Sequence, residues 1–311
     1  MVLFFKSLQP IISTDFPEDI FEPIKNKQSL YKYKVNAGEL ICKDKTILFC
    51  GICRDVSKTL ERNILRINRT GRLFKDYNVF IYENDSIDNT IEILNKYQSK
   101  NFHFISDTRQ DKNYRENLDN GIDPYHAKRC KILADCRNHY MNYIDSVNNV
   151  DYICVLDLDV YGGWSYEGIK HGIFTLENSD AHGCVSSYGI LSDPLNETTL
   201  EEVEKKYYLM YDSLAFRPLN VQSWHMFRLP AFNKINLNRG DDPLEVNSNF
   251  GGMAIYKINA IKNKRYDAEQ SKGGYVDPDH VILHSHIRKD GYKIILDPSM
   301  IVSYSHHRHS Q

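Results

Sequence analysis

The chain has 311 residues with a formal net charge of −2, 41% apolar and 26% charged side chains. That length accommodates one large α/β domain or two small ones, and the near-neutral charge gives no bulk electrostatic reason to expect nucleic acid or an anionic membrane as partner. No run of eighteen or more apolar residues reads as a membrane span, and 1–12 is too short and wrongly flanked for a signal peptide, so a cytoplasmic or cytosolic-facing protein is expected.

Residues 1–45 are of mixed character, with Pro10, Pro17 and Pro23 spaced through them, and are expected to form an arm or cap. The first clear element is the apolar strand Ile47 to Cys50, followed by Gly51 and Arg54-Asp55. Asp55 is a plausible N-cap for a helix in which Val56, Leu60, Ile64 and Ile67 recur at helical spacing. Val79 to Tyr82 is a second strand. It runs into Glu83-Asn84-Asp85-Ser86-Ile87-Asp88, a cluster of acids and amides able to hydrogen-bond a ribose or base while Ser86 caps the next helix. Phe102 to Ile105 is a third strand, and His126 to Tyr143 a helix with Arg137 in line with its apolar stripe. A buried guanidinium there needs an anionic partner, which nucleotide phosphates, a pair of aspartates or a core carboxylate could supply.

Tyr152-Ile153-Cys154-Val155-Leu156-Asp157-Leu158-Asp159 reads as a buried strand ending in acid. Residues two apart on a strand share a face, so Asp157 and Asp159 are expected to project together, and two like charges persist there when a cation relieves them. The alternative is that Asp159 caps the next segment while Asp157 is solvated. A hard divalent cation with oxygen ligands, such as Mn²⁺ or Mg²⁺, itself holding phosphates, is the expected relief. The βαβαβαβ alternation predicts a doubly wound, mostly parallel, Rossmann-like sheet whose ligand site lies outside the strands' carboxyl ends, where all three polar clusters fall.

In the second half, Gly168 to Leu176 predicts a short helix, Ala181 to Tyr188 a strand, and Leu200 to Tyr208 an exposed charged helix. Ser223-Trp224-His225 could offer a stacking platform, although a half-buried Trp is more often core. Gly251 and Gly252, ahead of an apolar strand, would permit close backbone approach there. Asp279 in Asp277-Pro278-Asp279-His280 precedes a helical run and reads from the residues alone as a helix cap. The 21 tyrosines suit carbohydrate surfaces and core edges equally, and the seven cysteines read mainly as buried thiols. Cys50-Gly51-Ile52-Cys53 is the exception, because a C-x-x-C between strand and helix also begins redox sites. Of the sequons at Asn68, Asn84 and Asn196, the second falls in the presumed nucleotide site, where a glycan would block binding.

Gly51-Ile52-Cys53-Arg54-Asp55-Val56, Ile81-Tyr82-Glu83-Asn84-Asp85-Ser86 and Leu133-Ala134 with Arg137-Asn138 resemble the nucleotide-sugar half of GT-A glycosyltransferases, most closely the fungal capsule mannosyltransferases of the CAP59 type. Met210-Tyr211-Asp212-Ser213 with Arg217, and Asn249-Phe250-Gly251-Gly252-Met253, look like that family's acceptor-side segments. Where the capsule enzymes are expected to carry Asn-Asp, this chain has Asp157-Leu158-Asp159, the commoner GT-A form. The resemblance implies a GT-A fold with a nucleotide-sugar-binding half at 46–160 and an acceptor half at 161–311. It also implies transfer of a hexose from a UDP- or GDP-linked sugar to a hydroxyl acceptor, a glycan or glycoconjugate, as in polysaccharide biosynthesis. Arg54, Glu83, Asn84, Asp85, Arg137, Asp157, Gly251 and Gly252 would then bind the donor, Asp157, Asp159 and His306 the metal, and Asp279 and Asp157 would act in catalysis. The alternatives are a sugar nucleotidyltransferase and a noncatalytic carbohydrate-binding or redox module.

Overall fold

The structure, a computed structural model, describes residues 14–109, 127–192, 208–219, 235–270 and 276–304. His306, Ser223-Trp224-His225 and 200–207 of the expected charged helix lie outside them. A 3-10 turn (Glu18–Phe21) leads to α1 (Gln28–Asp44), β1 (Thr46–Cys53), α2 (Ser57–Gly71), β2 (Asp76–Asn84), α3 (Thr90–Tyr97), β3 (Phe102–Asp107), α4 (Ala127–Ser146) and β4 (Tyr152–Leu156). Then come β5 (Gly163–Trp164), α5 (Tyr166–Glu177), β6 (His182–Ser192), β7 (Tyr208–Met210), β8 (Arg217–Pro218), β9 (Leu244–Ser248) and β10 (Met253–Lys257). The chain continues through α6 (Ile258–Ile261), the short pair β11 (Glu269–Gln270) and β12 (Val276–Asp277), α7 (Asp279–Lys289) and β13 (Lys293–Tyr304).

One sheet of 11 strands runs β3-β2-β1-β4-β10-β6-β13-β9-β8, with β5 on β13 and β7 on β6. The first four strands are mutually parallel, as the alternating pattern predicts, and β10 is inserted antiparallel between β4 and β6. Both faces are covered. Along β4, Tyr152, Cys154 and Leu156 pack with Leu60, Ile64 and Ile67 of α2 and Ile169, Ile173 and Leu176 of α5, while Ile153 and Val155 pack with Met141 and Ile144 of α4 and Leu283 and Ile287 of α7. A strand covered on both sides has no polar face, which is why its sequence is an unbroken apolar run.

The C-x-x-C lies inside β1, not between strand and helix. Strand periodicity sends Cys50 into the cluster under α4 and Cys53 into the cluster under α2, and a spacing of three residues cannot bring them together. Both thiols are buried, neither is in a disulfide, and burial, helped by Cys154 for the first and Glu83 for the second, pushes them well above the usual thiol range. The redox reading therefore fails.

The segment before α1 is anchored by Glu18. Its Oε1 accepts the amides of Tyr166 (2.9 Å) and Glu167 (3.2 Å) at the start of α5, and Oε2 accepts Ser165 Oγ (2.8 Å) and Arg239 Nη2 (2.6 Å). Ser165 Oγ in turn accepts the Gly168 amide at 2.7 Å, closing the helix cap. Arg239 is only 4% exposed and its other carboxylate, Glu167, lies 4.0 Å away, so removing Glu18 leaves a buried guanidinium poorly paired. Glu18→Ala is expected to lower unfolding free energy by about 2–4 kcal/mol in urea titration; a change below about 0.5 kcal/mol would remove Glu18 from this role.

Candidate functional site

At the carboxyl ends of β1, β2 and β4 a cleft of about 550 Å³ opens between α4, the turn after β4, the Tyr211-Asp212-Ser213 turn and the start of α7. Arg54, Asn84, Arg137, Asp157, Asp159 and Asp279 all line it, together with Arg129, Asp212 and His280. The volume suits a ligand of nucleotide size.

Arg137 is the centre of its electrostatics. The helical pattern of α4 carries this guanidinium inward to 8% exposure, where Nη1 meets Asp279 Oδ2 at 2.6 Å and Nη2 lies 3.8 Å from Asp157 Oδ1. Burial works against its charge, but Asp279, then Tyr140 and Asp157, hold it charged and raise it above the ordinary arginine value. Of the partners open from the sequence, carboxylates have taken Arg137. Asp279, 4% exposed, is the first residue of α7, preceded by Pro278; its Oδ1 accepts the His280 amide at 3.0 Å, and its other oxygen is the Arg137 partner.

Asp157 directly follows β4 and still reaches across to β10's turn, its amide donating to Gly252 O at 3.0 Å. Tyr304, at the end of β13, donates its hydroxyl to Asp157 Oδ2 at 2.7 Å and stacks on Tyr211 with ring centres 3.6 Å apart. Asp159 sits in a turn beyond the strand, so the expected shared strand face does not apply; both residues nonetheless line the cleft.

Asp212 is the residue that sequence reasoning left off the site. It adopts a left-handed φ of 59° between β7 and β8 and projects into the cleft. Burial, then Asp157 and Asp279, push its carboxyl up to about 8, with Arg137 opposing. Asp157, Asp212 and Asp279 thus lie around the Arg137 guanidinium, with Arg54 and Arg129 elsewhere on the lining. The available signal was the polar Tyr-Asp-Ser turn; its destination depends on β7 pairing with β6.

Several expected ligand contacts turn out to be structural. Glu83 is fully buried, its Oε1 accepts the Ser86 amide at 2.8 Å and its Oε2 accepts Ser106 Oγ, so it braces the loop and does not reach the cleft. Asp85, with a φ of 54°, spends its carboxylate on the Arg109 amide (3.0 Å) and Asn84 Nδ2 (3.0 Å). Asp55 does not cap α2, and Ser86 does not cap α3. Ser86 Oγ accepts the Asp55 amide (3.0 Å) and Asp55 Oδ1 accepts the Ile87 amide (2.7 Å), while Asp88 and Thr90 accept the Ser57 and Val56 amides at 2.9 Å, tying the β1 and β2 loops together. Gly251 and Gly252 (φ 62° and 90°) do not line the cleft. A Cβ on Gly251 would lie 2.2 Å from Ser187 O, and one on Gly252 would lie 2.7 Å from the Tyr304 ring, so these glycines serve backbone conformation and strand packing.

The donor set matches a hard divalent cation in kind: carboxylates of Asp157 and Asp159, with a local excess of negative charge around Arg137. Among the described residues no three His, Cys, Asp or Glu side chains close around one point, so the described set stops at this pair. Among the same residues no helix is long and apolar enough to cross a membrane.

No sequence-family description and no curated protein matches the chain. Among solved structures it is similar to a mannosyltransferase from Pyrobaculum calidifontis in complex with GDP-Man and Mn²⁺, at 10% identity and a TM-score of 0.50, over 92% of this chain and 68% of that one. A glucosyl-3-phosphoglycerate synthase from Mycobacterium tuberculosis, in complex with Mn²⁺, UDP and phosphoglyceric acid, aligns at 10% identity and a TM-score of 0.43, over 89% and 75% of the two chains. The fold of this chain is therefore of the GT-A glycosyltransferase type, a mixed α/β arrangement about a large central sheet that is parallel in its first half.

Proposed function

We propose that this chain is a metal-dependent hexosyltransferase that moves a sugar from a nucleoside diphosphate to a hydroxyl acceptor on a glycan or glycoconjugate. The observation that carries the reading is the convergence of Asp157, Asp159, Arg54, Asn84, Arg137 and Asp279 on one nucleotide-sized cleft at the carboxyl edge of a GT-A sheet. The Pyrobaculum neighbour's GDP-Man and Mn²⁺ support the same chemistry. The narrower kinship with capsule mannosyltransferases has the Ile81-Tyr82-Glu83-Asn84-Asp85-Ser86 run as its most specific support.

In this reading Arg54 and Asn84, at the ends of β1 and β2, take the nucleoside, and Asp157 and Asp159 hold Mn²⁺ or Mg²⁺, with His306 as a third donor. A divalent cation supplies Lewis-acid stabilisation of the departing diphosphate. Arg129 and Arg54 line the cleft with further positive charge for that diphosphate. Asp279, held by Arg137, orients the acceptor hydroxyl or takes its proton as the glycosidic bond forms. Tyr304 fixes the direction of Asp157 through its 2.7 Å hydrogen bond.

Release of nucleoside diphosphate from a panel of UDP- and GDP-sugars with Mn²⁺ is the direct assay. Asp159→Ala is expected to lower kcat/KM by at least about a hundredfold with the fold intact by circular dichroism; turnover equal to wild type would overturn the assignment. A second expectation follows from Asp212, whose carboxyl is pushed up to about 8 by burial, then by Asp157 and Asp279. Cation binding favours the carboxylate, so Mn²⁺ should release protons at pH 7 and bind more tightly as pH rises towards 8. Calorimetry in two buffers of different ionisation enthalpy measures that release; wild-type release persisting in Asp212→Asn would assign the proton to another group.

A further inference from the structure

The turn that carries Asp159 is held from outside by one face of α2. Thr59, Asn63 and Arg66, spaced i, i+4 and i+7, are all buried and all point at its backbone carbonyls. Asn63 Nδ2 donates to Leu158 O at 2.9 Å and to Val160 O at 2.8 Å, so a single amide grips the carbonyls on both sides of Asp159. Thr59 Oγ1 adds a donor to Leu158 O at 3.1 Å. Arg66 donates to Tyr161 O and Gly162 O, each at 3.2 Å, and its Nη1 donates to Asn63 Oδ1 at 3.0 Å, which turns the Asn63 amide nitrogen towards the turn.

Arg66 is an expensive way to achieve this. It is 4% exposed, and burial, followed by Arg62, pushes it down to about 10. Among the described residues no carboxylate pairs with it; its acceptors are carbonyls and the Asn63 side chain. A buried cation without a counter-charge costs stability, and a core that only needed filling would use an apolar side chain of the same length. The same helix begins at the loop tied to Ser86, Asp88 and Thr90, so α2 sets the turn's position relative to the β1 and β2 loops that border the cleft.

We propose that Asn63, oriented by Arg66, is a positioning residue that fixes Asp159 for divalent cation binding. The inference rests on the glycosyltransferase reading above only in taking Asp159 as a cation ligand. Asn63 touches neither substrate nor cation; it acts through the two peptide groups that flank the ligand.

The discriminating variant is Asn63→Asp. It keeps an acceptor for Arg66 and gives that guanidinium a counter-charge, so folding persists, but it removes the donor and sets a carboxylate against two carbonyls. Mn²⁺ binding to the full chain, followed by calorimetry without nucleotide, is expected to weaken by about 10–100-fold, with the fold retained by circular dichroism. Turnover should recover towards wild type at saturating Mn²⁺, so the defect falls on the KM for the metal and not on kcat. Thr59→Val, an isosteric loss of one donor, should weaken Mn²⁺ in the same direction, and Thr59→Ser should restore it. Wild-type Mn²⁺ affinity in folded Asn63→Asp would overturn the inference and leave the transferase reading standing. If Asn63→Asp does not fold, the Thr59 pair decides: equal Mn²⁺ affinity in Thr59→Val and Thr59→Ser overturns it. Absence of Mn²⁺ binding in wild type would overturn the cation site itself, and with it both readings.

Discussion

The cleft exists because a guanidinium is buried among carboxyls at the edge of the sheet. Arg137 joins α4 to the first residue of α7 through Asp279 and to the end of β4 through Asp157, so three elements far apart in the chain meet at one charge. Packing apolar groups there would close the space; a paired ion and its neighbours keep it polar and open. Asp212 adds a further carboxyl beside this pair, and burial, then Asp157 and Asp279, push it up to about 8. A site so poised favours whatever brings further positive charge.

Around this centre the edge loops are held mainly by side chains that replace ladder hydrogen bonds. The loops after β1 and β2 are tied by Ser86, Thr90 and Asp88 to the backbone at residues 55–57, and the turn after β4 is tied by Thr59, Asn63 and Arg66. Backbone beyond the end of a strand has lost its ladder partners, and in the interior each such group must find a substitute. The polar residues clustered at the strand ends therefore divide between two tasks. Some, such as Arg54, Asn84, Asp157 and Asp159, line the cleft; others, such as Glu83, Asp55 and Ser86, hold the walls.

That division marks the limit of reading the chain by its local pattern. Glu83-Asn84-Asp85-Ser86 announces a polar strand end, but Asn84 enters the cleft while Glu83 turns to Ser106 on the neighbouring β3. The choice is made by a strand pairing that the cluster does not encode. Likewise Cys50-x-x-Cys53 looks like a redox motif until β1 extends through it and period two parts the thiols. The glycine pair at 251 and 252 signals close approach correctly, yet the close partners are Ser187 and Tyr304 of this chain.

What the sequence determined by itself was the parallel half of the sheet and the positions of its polar ends, because alternation of apolar strands with amphipathic helices is a short-range property. It also marked Asp157, Asp159, Arg137 and Asp279 as residues requiring partners, since charge next to apolar runs must be compensated wherever the chain goes. Only the tertiary structure decided which partners they find. Asp212, Tyr304 and Asn63 come to these aspartates from β7's turn, the end of β13 and the inner face of α2. Their meeting depends on long-range pairing of β6, β10 and β13 and on helix-to-sheet packing, whose geometry leaves no periodic trace in the neighbourhood of any one of them.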